Sequence, residues 1–153
     1  MDFPFNKKTN CVSDTEAVGK MLGEAIREEK SLPRFVAMYG DLGVGKTAFT
    51  RGFVSAFTER ANVKSPTFAL VNEYGKGDNA VFHFDMYRIE SEDDLYSIGY
   101  DDYLDRGVCL VEWSEHIPYA LPDHRIAVTI KKDDLEKPDS REIVIEELEV
   151  PLC

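Results

Sequence analysis

Phe35-Val36-Ala37-Met38-Tyr39-Gly40-Asp41-Leu42-Gly43-Val44-Gly45-Lys46-Thr47-Ala48-Phe49 is the part of the chain that organises everything around it. Its first five residues are apolar on both alternating faces, which predicts a strand buried on two sides at the centre of a sheet. Gly40 to Thr47 then matches G-x-x-x-x-G-K-[ST] at every required position. Beyond it, Phe49, Phe53, Val54, Ala56 and Phe57 lay a broad apolar stripe on a helix expected from Thr47 to about Arg60. A buried strand, a glycine turn and an amphipathic helix form the context in which this motif binds phosphate. The glycine spacing lets the backbone of Asp41, Leu42, Gly43, Val44, Gly45, Lys46, Thr47 and Ala48 wrap a phosphate chain with its N–H groups inward. The positive end of the following helix adds to that attraction. Lys46 is placed to bridge the β- and γ-phosphates of a nucleotide, and the Thr47 hydroxyl to ligate Mg²⁺.

Upstream, Ser13-Asp14-Thr15-Glu16 reads as a capping box. Val18, Met21, Leu22, Ala25 and Ile26 follow at helical spacing, predicting a helix that starts at Ser13 and ends before Pro33. Downstream come a strand from Phe68 to Tyr74, a turn from Gly75 to Asn79 and a strand from Ala80 to Asp85. So short a connection cannot make a parallel crossover, and the pair must be an antiparallel hairpin. Glu92-Asp93-Asp94 opens an acidic helix through Leu95 and Ile98 that Gly99 can end. Val108 to Val111 is a second buried strand, closed by Glu112. Ile126 to Ile130 and Ile143 to Ile145 alternate as half-buried strands, with a charged loop expected between them. There is no repeat, low-complexity segment or linker. Residues 1–153 are therefore read as a single α/β domain, a P-loop NTPase-like three-layer sandwich. Its sheet is mixed: a parallel core, an antiparallel hairpin and C-terminal strands.

A P-loop needs a second anion for Mg²⁺ or its water, normally at the end of a neighbouring buried strand. Glu112 stands there, at the exit where ligands of open α/β sheets collect. Asp85 ends the other strand and can also face the metal. Thr67, after Ser65-Pro66, suits a sensor loop that brings a hydroxyl or carbonyl to Mg²⁺ and the γ-phosphate. Lys46, Glu112, Asp85 and Thr67 are thus the candidate catalytic set, with Thr47 and Glu112 as metal ligands. His83 alternates with Phe82 and Phe84 and should point away from them, in a structural or solvent-facing role. Trp113 follows Glu112 directly and is placed to report on, or touch, the nucleotide.

The chain's 153 residues carry 18 Lys and Arg against 29 Asp and Glu, a net charge of −11. That is the wrong sign for neutralising a nucleic-acid backbone, so free RNA or DNA is not expected as a partner. The acids concentrate from Glu90 to Asp105 and from Asp133 to Glu149, as solvated faces or as docking surfaces for a basic partner. Cys11, Cys109 and Cys153 form neither a disulfide framework nor a zinc motif, which suggests a reducing, cytoplasmic compartment. No stretch is apolar and long enough to span a membrane, and none is expected to do so. A GTPase would show N-K-x-D and D-x-x-G, and neither occurs. Arg88 and Arg106 are isolated, so the arginine-rich lid of a small kinase is not visible.

Taken in order, Gly40 to Thr47, Val63-Lys64-Ser65-Pro66-Thr67-Phe68, His83-Phe84-Asp85-Met86-Tyr87-Arg88 and Val111-Glu112-Trp113 closely resemble the bacterial TsaE family, also called YjeE. The resemblance covers roughly residues 10–130. It implies a small ATPase, using ATP and Mg²⁺, required for threonylcarbamoyladenosine modification of tRNA beside the anticodon. It implies action with a TsaB–TsaD heterodimer in which TsaD carries the transferase site. The family's phosphate and metal roles fall on Lys46, Thr47 and Glu112, its switch-like and strand-end motifs on Thr67 and Asp85, and its nucleotide-proximal tryptophan on Trp113. One departure is Ala48, where the family commonly has a second Thr. That removes one hydroxyl contact to phosphate and leaves the metal ligand Thr47 intact. A free-standing small-molecule kinase and an interaction module that holds nucleotide without hydrolysing it are the rival readings.

Overall fold

The strand expected at the centre is β2 (Phe35–Tyr39), which lies between β5 (Val108–Glu112) and β6 (His124–Asp134) and runs parallel to both. The computed structural model describes residues 1–40, 45–59, 61–66 and 70–149. With β1 (Phe5–Thr9), β3 (Val71–Tyr74), β4 (Val81–Asp85) and β7 (Lys137–Glu149), these strands form one seven-stranded sheet in the order β1-β7-β6-β2-β5-β4-β3. β4 is parallel to β5, while β3 pairs antiparallel with β4 as the short connection required. The sheet is mixed, with a parallel centre and antiparallel flanks.

Side chains alternate across β2, so Val36 and Met38 face one side and Phe35 and Ala37 the other. On the first side α1 (Val12–Glu28) and α2 (Lys46–Ser55) bury Val18, Leu22, Ile26, Phe49 and Phe53 against the sheet. On the second, Phe82, Phe84 and Val111 pack under α3 (Glu92–Ser97), α4 (Tyr100–Tyr103) and single 3-10 turns, through Leu95, Tyr100 and Ile117. Three layers result. α1 and α2 approach backbone to backbone: a Cβ on Gly19 would stand 2.1 Å from the Phe49 carbonyl oxygen, and one on Gly52 1.8 Å from that of Glu16.

Three local expectations need correction, and one strand was not expected. α1 begins at Val12 with Cys11 as its N-cap, and the Ser13 capping box does not form. The chain leaves β1 only at Thr9, so Asn10 and Cys11 make the turn. Thr9 then ties to Thr15 through their hydroxyls at 3.0 Å, and the Asp14 carboxylate accepts from the Asn10 N–H at 3.1 Å. β1 itself was not anticipated, because Asn6, Lys7 and Lys8 hide the strand pattern; charged side chains of this kind are normal on an edge. α2 is shorter than the stripe suggested and stops at Ser55. The charged loop placed between Ile130 and Ile143 is instead ladder, since β6 and β7 pair from His124↔Glu149 to Asp134↔Lys137. Charge on a two-stranded ribbon beyond the core costs nothing in burial, so polarity there did not mean loop.

Candidate functional site

α2 starts at the end of β2 with Gly45 as its N-cap in the left-handed region, φ 103°. Lys46, Thr47 and Ala48 are its first three residues, so their N–H groups lack intrahelical partners and point out of the helix start. Ala48 is buried and can offer only that N–H. Lys46 is 7% exposed, and its Nζ donates to the Gly40 carbonyl oxygen at 2.9 Å. The same ammonium sits 4.3 Å from the centroid of the Trp113 ring. A buried cation held, among the described residues, by a carbonyl and a π-face is well matched to an anion.

The sheet register brings the carboxylates to this place. Asp85 and Glu112 are directly opposed at the C-terminal ends of the parallel strands β4 and β5, so both project to the face that carries α2. Glu112 is buried, and its Oε2 accepts a hydrogen bond of 2.7 Å from the fully buried His83 Nε2. The solvent-facing option for His83 is therefore wrong, while its orientation away from Phe82 and Phe84 holds, since those two belong to the opposite core. Asp85 Oδ1 accepts from the Tyr87 N–H at 2.9 Å. Immediately after Glu112, Trp113 adopts a left-handed conformation, φ 57°, which a non-glycine residue takes at some cost. That turn sets its indole beside Lys46, with Tyr87 and His116 at ring distances of 5.1 and 5.4 Å.

Gly45, Lys46, Thr47, Ser65, Asp85, Glu112 and Trp113 line one cleft of ≈ 330 Å³. Thr47 Oγ1 lies 3.3 Å from Ser65 Oγ. Asp41, Leu42, Gly43, Val44 and Thr67 lie outside the described residues. The cleft's oxygens, from Thr47, Asp85 and Glu112, are the hard donors Mg²⁺ prefers. Among the described residues that line the cleft, two carboxylates stand beside one lysine, a negative imbalance that a divalent cation would offset. The residues present thus fit the metal. A larger cavity, ≈ 430 Å³, opens at the other end of the sheet among Lys30, Arg34, Asp78, Asp105 and Arg106. It lies away from the start of α2 and gathers neither a helix start nor paired buried carboxylates, so the smaller cleft is the candidate site.

A family model described as threonylcarbamoyl adenosine biosynthesis protein TsaE matches residues 9–143. The chain belongs to the TsaE family. It is similar to the tRNA threonylcarbamoyladenosine biosynthesis proteins TsaE of Haemophilus influenzae, 40% identical over 73% of this chain and 72% of the relative, and of Bacillus subtilis, 38% identical over 78% and 72%. The fold is similar to the crystal structure of Bacillus subtilis YdiB, with a TM-score of 0.70 and 30% identity over 97% of this chain and 88% of that one. The family match runs into β7, beyond the point where motifs could be read. There Arg141, which sequence reasoning passed over, places its Nε 3.9 Å from where a Gly45 Cβ would sit. Ser65 was also missed as a partner of Thr47.

Burial raises the Asp85 carboxyl above its ordinary value; the Tyr87 N–H opposes this, Glu112 adds to it, and His83 and Lys46 oppose it. An acid whose folded-state pKa is raised penalises the fold once pH climbs through its unfolded value, and the penalty is absent below that value. Asp85→Asn keeps the acceptor for Tyr87 and should raise the melting temperature of this TsaE protein, free of nucleotide, at neutral pH. The gain should vanish in acid below the carboxylate range. Thermal unfolding across pH checks this; a gain undiminished in acid contradicts it.

Proposed function

We propose that this chain is the Mg²⁺-dependent ATP-binding and hydrolysing subunit for threonylcarbamoyladenosine (t⁶A) modification of tRNA position 37, acting with a TsaB–TsaD heterodimer. The observation that carries the reading is the convergence of Lys46, Thr47, Asp85 and Glu112 in one cleft at the start of α2. The names of the relatives, tRNA threonylcarbamoyladenosine biosynthesis proteins, support the process. The N–H groups at the start of α2 and the Lys46 ammonium bind and orient the phosphates. Thr47 and Glu112 hold Mg²⁺, which when bound would neutralise charge developing on the transferred phosphate. Asp85 lies beside Glu112 and can orient water or accept a proton. Thr67 is proposed to sense the γ-phosphate.

The charge of −11 argues for a protein partner and against free tRNA. Turnover should be weak in the chain alone and faster with the heterodimer. Phosphate release without any added acceptor separates this reading from a kinase, and turnover itself separates it from an inert nucleotide-bound module. In the decisive variant, Glu112→Gln, the amide keeps the shape and removes the charge. Nucleotide should stay bound while hydrolysis slows on the order of 100-fold. Unchanged turnover in that variant would move the role to Asp85.

A further inference from the structure

The imidazole of His83 is not among the residues that line the cleft, yet it bonds one of them, Glu112, and is fully buried, at 0% exposure. Its position follows from register. His83 pairs with Leu110, so Glu112 is its diagonal neighbour two residues along β5, on the same face, while Asp85 follows two residues along β4. The 2.7 Å bond to Glu112 Oε2 is therefore built across two adjacent, hydrogen-bonded parallel strands. An ionised carboxylate only accepts, so Nε2 must carry the proton in this bond. The other ring nitrogen, Nδ1, is buried with no hydrogen-bond partner among the described residues. A buried nitrogen left unpaired is a cost, which a residue kept merely for packing would not need to bear.

We propose that His83 is the positioning residue for Glu112: its Nε2–H ties up Oε2 and fixes the carboxylate plane, so that Oε1 is presented to the cleft. Carboxylates that ligate metals are commonly oriented by such a hydrogen bond, and its loss costs about 10–100-fold in metal affinity or activity. The inference rests on the reading of Glu112 as the metal-side carboxylate. Three variants separate the two. The Nε2 of glutamine can take the place of the histidine Nε2, whereas the amide of asparagine stops near the position of Nδ1. His83→Gln should keep the apparent Mg²⁺ affinity of the ATP complex within about 3-fold, and His83→Asn should weaken it by about 10-fold or more. Metal-free ATP affinity and the melting temperature of the nucleotide-free protein serve as controls for folding. Glu112→Gln is titrated in parallel.

A second measurement needs neither nucleotide nor metal: the ring-nitrogen NMR spectrum of the free protein should show His83 protonated at Nε2. An Nε2 without a proton overturns the proposal. So does a folded His83→Asn protein with wild-type Mg²⁺ affinity while Glu112→Gln loses it. If Glu112→Gln also binds Mg²⁺ normally, the reading of Glu112 itself fails.

Discussion

Lys46→Ala should give a folded protein that no longer binds ATP at useful concentrations. Lys46 contributes the one ammonium among the described residues that line the cleft, and its direct hydrogen bond among them is to the Gly40 carbonyl. Charge-assisted bonds to phosphate from one cation contribute about 3 kcal/mol, on the order of 100-fold in Kd. The fold should tolerate the change. Truncation removes a buried charge along with its bond to Gly40, and the two effects on stability oppose each other. The apolar cores on either side of the sheet do not include Lys46. Calorimetric titration with Mg-ATP, together with a thermal melt, checks both halves. A folded variant with unchanged ATP affinity would remove the basis for placing phosphates in this cleft.

The parts of the molecule legible in the sequence are those where burial and backbone chemistry act over short spans. β2 and β5 are runs apolar on both faces, and both are central strands. Thr47 and the strand-end acids Asp85 and Glu112, picked out by their places after the glycine motif and at the ends of apolar strands, do line one cleft. What escaped depends on partners far away in the chain. β1 is recognisable as a strand only through its ladder with β7, since three of its five residues are polar and exposed. His83 looked ambiguous for the same reason: alternation gave its face, but only the parallel register of β4 and β5 shows that Glu112 shares it. The Ser13 box was locally plausible and lost to a tertiary tie, the Thr9 to Thr15 hydroxyl contact. The proximity of Arg141 to Gly45 could not be read either, because it requires knowing that β7 returns beside the start of α1 and α2.

Gly52→Ala sets helix propensity against packing, and packing should win. In an exposed helix interior the exchange would gain up to about 1 kcal/mol. Here the added Cβ would meet the Glu16 carbonyl oxygen at 1.8 Å, its carbonyl carbon at 2.7 Å and its Cα at 2.9 Å. Each is backbone, so no side chain can swing away. Relief requires α1 and α2 to separate by more than an ångström, because ordinary C···O contacts begin at about 3.3 Å. Separation would open the seam where Leu22, Phe49 and Phe53 are fully buried. Overpacking costs about 1–3 kcal/mol, and more where backbone must move. At roughly 2–4 °C per kcal/mol for a chain of this size, a melting temperature lower by about 5–10 °C is expected. Gly77→Ala provides the contrast: its site has φ +64° with nothing within 4 Å of the new Cβ, so only the left-handed backbone is strained and the loss should be smaller. A Gly52→Ala protein that melts at or above the wild-type temperature would show that the two helices do not meet backbone to backbone. Because α2 carries Lys46 and Thr47 in its first turn, the same displacement should also weaken ATP binding, which makes the α1 to α2 contact a support of the site as well as of the core.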